Sequence, residues 1–74
     1  RLVSIRLSSD DPDELTLRAA RLLGEADRIY HPPSVPALIL DRARADAARI
    51  VADGPPDHPG EGLSLWVTLG EGIA

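Results

Sequence analysis

The chain has 74 residues, enough for one small domain, and at that length folding buries only about 60% of the surface of the unfolded chain. Eight basic against twelve acidic residues leave a formal charge of −4, and the basic residues are scattered singly, which argues against nucleic acid as a partner. The absence of cysteine excludes a disulfide framework and a thiolate zinc site and fits a cytoplasmic protein; no apolar run is long enough to span a membrane as a helix.

In chain order, LVSIRL at residues 2–7 is rich in branched side chains and alternates loosely, the pattern of a strand. Asp11 follows at an N-cap position, with Pro12 at the first helical position and Glu14 three residues beyond the cap, so a helix is expected from about Pro12. Leu15, Ala19, Leu22, Leu23 and Ala26 would form its apolar face and Glu14, Arg18 and Arg21 its solvent face. Arg28–Tyr30 is a short second strand, parallel to the first and halted by His31, Pro32 and Pro33. Ser34 is placed to cap a second helix, with Pro36 in its first turn, that runs to about Ala45.

ARIVA at residues 48–52 and LSLWVTL at 63–69 complete the strands. Between them, DGPPDHPGEG has three prolines and three glycines in ten residues and holds no helix. The order β-α-β-α-β predicts an α/β fold with a small, mostly parallel sheet of three or four strands and two helices. The connection to the last strand is short for a parallel return, which leaves it as an antiparallel neighbour, a stretched crossover or a strand given to another chain. An outermost position for this strand makes its Trp66 an anchor of the core or of an interface, and it is the strand where a homodimer is expected.

The acidic junction Asp10, Asp11, Asp13 and Glu14 is the main candidate site. Capping and the positive helix end account for its carboxylates without a ligand, and its charge disfavours phosphate. His31 and His58, even with Asp53 or Asp57, have no metal-ligand spacing and are expected as solvated loop residues. Ser8 and Ser9 have no nucleophile motif around them. Gly70 and Gly72, after the last strand, would allow close approach to the backbone. No residue emerges as catalytic.

LVSIRLSSDDPDELTLRAARLLGEADRIY followed by VPALILDRARADAARIV resembles the N-terminal stretch of the SAM-dependent tetrapyrrole methyltransferases, in particular uroporphyrinogen-III C-methyltransferase, including its form fused in sirohaem synthase. The resemblance rests on Asp11-Pro12, Leu15-Thr16-Leu17, Arg21-Leu22-Leu23, Glu25-Ala26-Asp27 and Ile39-Leu40, and covers residues 2–52. It implies the first part of the tetrapyrrole methylase fold, and a cofactor corner at Ser9, Asp10, Asp11, Pro12, Gly70 and Gly72. Where the family has loop glycines and a proline, this chain has Arg6, Ser8, Ser9 and Asp10; after the second strand it has His31-Pro32 in place of Tyr-Asp. The expectation is a single truncated domain over residues 1–74, a piece of a longer polypeptide. Its role would be structural, as a homodimer or beside a neighbouring domain, with no cofactor in this chain, or with SAM where the family activity is retained in a fragment of an active enzyme.

Overall fold

The computed structural model describes residues 1–70. Strands β1 (Leu2–Leu7), β2 (Arg28–His31), β3 (Ala48–Val51) and β4 (Ser64–Leu69) and helices α1 (Leu17–Glu25) and α2 (Ala37–Leu40) form an α/β unit. All strand pairings are parallel, in the order β1-β4-β2-β3. The last strand is therefore not outermost. It lies between β1 and β2 and brings the most apolar stretch of the chain to the middle of the sheet, where neighbours cover both of its edges.

Steps from β1 to β2 and from β2 to β3 run in one direction across the sheet, so right-handed crossovers place α1 and α2 on the same face. The side chains of Ile5, Leu7, Ile29, Leu65 and Val67 point to that face and join Leu22, Leu23, Ala26, Ile39 and Leu40 in one buried cluster. The return from β3 to β4 runs the other way, and its handedness sends it over the opposite face. Residues 52–63 make this return without a helix. On that face Arg28 and Ser64 lie side by side in register; the Arg28 guanidinium donates to the Glu61 carbonyl and the Ser64 hydroxyl donates to the Pro59 carbonyl at 3.2 Å. The proline-rich segment is thus the stretched crossover. Trp66 and Tyr30, also paired on this face, are half-buried.

Two helix boundaries differ from the sequence expectation. Asp11 caps only a 3₁₀ turn, Pro12–Glu14. Leu15 then turns extended (φ −64°, ψ 140°) to carry its side chain toward the core, and a second cap, Thr16, starts α1 by accepting from the Ala19 N–H at 3.0 Å. The expected capping box does not form, because the Asp11 N–H donates to Ser9 Oγ rather than to Glu14. The second helix is shorter than expected: it spans Ala37–Leu40, follows Pro36 without a side-chain cap and gives way to turns before β3. Its two buried residues, Ile39 and Leu40, are all that the core takes from it.

His31 is the third difference. It is the last residue of β2, only 6% exposed, on the helix face of the sheet. Its Nδ1 lies 2.9 Å from the Pro32 carbonyl and donates to it. Among the described residues no helix is long and apolar enough to cross a membrane, and no cluster of three metal-ligating side chains occurs.

Candidate functional site

In open parallel sheets ligands bind beyond the carboxyl ends of the strands. Here the ends of β1 and β4 are adjacent: Leu7 pairs with Leu69, and the Gly70 N–H donates to the Leu7 carbonyl at 2.7 Å. The structure therefore brings Gly70 to the same corner as the loop that leaves β1 through Ser8, Ser9, Asp10 and Asp11. Gly72 lies outside the described residues.

Side chains occupy this corner. A Cβ on Gly70 would stand 3.0 Å from the Leu7 carbonyl oxygen and 3.1 Å from Arg6 Nε, so the Arg6 guanidinium lies over the face of Gly70. Ser9 Oγ accepts from the Asp11 N–H at 3.1 Å, Asp11 Oδ1 accepts from the Asp13 N–H at 2.9 Å, and the Glu14 N–H donates to the Asp11 carbonyl at 2.9 Å. Ser9 and Asp11 thus spend their side-chain acceptors on the loop's own backbone. Asp10, Asp11 and Asp13 are exposed, while Ser9 and Pro12 are half-buried.

A cleft of about 160 Å³ lies next to this corner, against the outer edge of β1. Ile5, Leu7, Leu15 and Ala19 form its aliphatic floor, and Arg6, Glu14 and Arg18 are among its polar lining residues. Of the residues assigned to the cofactor corner by resemblance, only Ser9 lines it; Asp10, Asp11, Pro12 and Gly70 do not.

The opposite end of the sheet holds a residue that sequence reading did not single out. Asp27, just before β2, accepts from the Leu63 N–H at 2.8 Å and from the Arg44 guanidinium at 3.0 Å, and its own N–H donates to the Leu63 carbonyl at 2.8 Å. The bond from Leu63 is the largest cause of a carboxyl pKa held below the ordinary value of 3.8, followed by that from Arg44. Gly62, at φ +83°, sits so close to this carboxylate that a Cβ there would collide with Asp27 Oδ2. The signal was present in Ala26-Asp27, but neither the spacing nor the charge pattern ties Asp27 to a segment 36 residues away.

Comparison with known proteins gives two kinds of likeness. No family model matches the chain. The siroheme synthase of Methylococcus capsulatus is 60% identical over 42 residues, covering 57% of this chain and 9% of that protein. The siroheme synthase of Nitrosomonas eutropha is 50% identical over 42 residues, with the same coverages, and that of Gluconacetobacter diazotrophicus is 45% identical over 40 residues, covering 54% and 8%. The chain thus spans less than a tenth of the length of these relatives. A solved structure of cobalt precorrin-4 methyltransferase, a cobalamin biosynthetic enzyme, matches with a TM-score of 0.72 at 19% identity over 93% of this chain and 34% of that one, which shows a shared fold.

Proposed function

We propose that this chain, a partial domain of the tetrapyrrole methylase family, is a degenerate methyltransferase-like module of a cytoplasmic, sirohaem-synthase-like protein. Its role is structural, through packing and dimerisation, rather than methyl transfer. The observation that carries this reading is the corner where β1 and β4 end. A methyl donor such as SAM needs bare backbone to approach and room for a nucleoside and an amino-acid tail. At this corner Arg6 lies over Gly70, the Ser9 and Asp11 side chains close the loop upon itself, and Asp10, Asp11 and Asp13 would repel the donor's carboxylate. The adjoining cleft, at about 160 Å³, is below the roughly 300–1,000 Å³ of sites that enclose ligands of that size. The residues present do not fit the donor, and no catalytic step is derived through it.

Calorimetric titration of S-adenosylhomocysteine, the demethylated product, tests the reading. The expected result is no heat of binding at millimolar ligand; saturable binding overturns it. The 60% identity over 42 residues to a siroheme synthase favours a second reading, a fragment of an active uroporphyrinogen-III C-methyltransferase. In that reading Ser9, Asp10, Asp11, Pro12, Gly70 and Gly72 border SAM, and the same titration supports it if heat is seen.

A further inference from the structure

Among the described residues the sheet has two open edges, β1 and β3. They are not equivalent. β3 is a four-residue strand, and its Arg49 is held by Asp41 at 3.0 Å. β1 has six residues and forms one wall of the cleft described above.

The backbone of β1 shows which groups are free. The Arg1 carbonyl accepts from the Ser64 N–H at 2.8 Å and the Leu7 carbonyl from the Gly70 N–H at 2.7 Å. In a parallel ladder alternate residues bond to a given neighbour, so the odd-numbered residues of β1 address β4. Leu2, Ser4 and Arg6 therefore turn both their N–H and C=O groups outward, away from any strand. An edge of this kind is a template for another strand, and the cleft beside it offers space for side chains of that strand on the α1 side.

From this edge we infer that β1 pairs antiparallel with β1 of a second copy about a two-fold axis at Ser4, joining two four-stranded sheets into one of eight. This deepens the assembly part of the proposed function and rests on it. The strand is self-complementary in this register. Ser4 faces the partner's Ser4, Leu2 faces the partner's Arg6, and Val3 faces the partner's Ile5, so no like charges stand opposite each other. On the α1 side, the partner's Val3 comes to the mouth of the cleft beside Ile5, and the partner's Arg1 comes beside Leu7, Ser8 and Glu14, all of which line the cleft. A basic residue thus meets the acidic wall, and an aliphatic side chain meets the aliphatic floor. The two-fold axis repeats both contacts.

The chain has no cysteine, so Ser4→Cys introduces a single thiol at an exposed position. Directly opposed residues of a hydrogen-bonded antiparallel pair lie about 5.5 Å apart at Cα, within the roughly 4.4–6.8 Å that a disulfide spans. The expected results are light scattering at twice the chain mass for the unaltered protein at micromolar concentration, a covalent dimer from oxidised Ser4→Cys, and the mass of a single chain for Ser4→Lys with its circular dichroism unchanged. A monomeric unaltered protein overturns the inference. So does a dimer that cross-links through Ile50→Cys on β3 and not through Ser4→Cys. No methyl donor enters these measurements, so their failure leaves the reading of the β1–β4 corner standing, and donor binding would leave the dimer standing.

Discussion

The two ends of the sheet are held together in opposite ways. At the N-terminal end, where β2 and β4 begin, hydrogen bonds join residues far apart in sequence: Asp27 to Leu63, Arg28 to Ser64 and Glu61, and the N-terminal amine of Arg1 to the Gly62 carbonyl. At the C-terminal end, the side-chain bonds of the Ser8–Glu14 loop reach two residues along the chain and no further. One end is a tertiary lock that fixes the order of the strands. The other is a locally closed loop, which can change its sequence without disturbing the sheet. That difference explains how a chain can retain the fold of a methyltransferase while the corner that would take the methyl donor fills with side chains.

The contrast is broken most severely at Gly62. Replacing it with valine places a side chain at φ +83° and drives it into the Asp27 carboxylate. The backbone term alone costs about 1–3 kcal/mol, and each kcal/mol lowers the melting temperature of a domain this small by about 4–8 °C. Thermal unfolding followed by circular dichroism should show a loss above that range, or no folded protein.

Asp27→Ala comes next, since it leaves the Leu63 N–H without its acceptor and frees Arg44. Its pH dependence has a definite sign. The folded-state pKa of Asp27 is lowered from 3.8, so its contribution is fully present above pH 3.8 and is lost as pH falls through the folded value below it. The melting temperature of Asp27→Asn should therefore lie below that of the unaltered protein by a constant amount at neutral pH. The gap should narrow below pH 3.8, as measured by unfolding in acid.

The smallest effects belong to the opposite end. Thr16→Ala removes the cap of α1 and should cost about 1 kcal/mol in denaturant unfolding. Asp11→Ala, which uncaps only a three-residue turn on the surface, should cost less. Asp10→Ala, exposed, should fall within about 0.5 kcal/mol of the unaltered protein. A larger loss at Asp10 than at Thr16 would mean that the corner is more than a local loop.

Much of the fold could be read from periodicity. The 2–7 strand, the face formed by Ala19, Leu22, Leu23 and Ala26, the parallel β-α-β order and the absence of a helix in residues 53–62 are local properties of composition and spacing, and the structure shows each of them. What could not be read depends on partners distant in sequence. Strand β4 looked outermost because nothing local to it reports that β1 and β2 both pair with it. His31 looked solvated because the prolines after it suggested a loop, whereas the helix face of β2 buries it. The start of α1 was misplaced because two caps stand in tandem, Asp11 and Thr16, and only the extended turn at Leu15 decides between them. At the corner, the replacement of loop glycines was visible in the sequence, but the position of Arg6 over Gly70 follows from the pairing of β1 with β4.

The central claim is that the N-terminal lock preserves the fold while the β1–β4 corner no longer admits a methyl donor. Backbone amide spectra recorded by NMR during titration with S-adenosylhomocysteine test it residue by residue. The account predicts that the amides of Ser8, Ser9, Asp10, Asp11 and Gly70 stay unmoved through millimolar ligand. Saturable shifts confined to those five would contradict it.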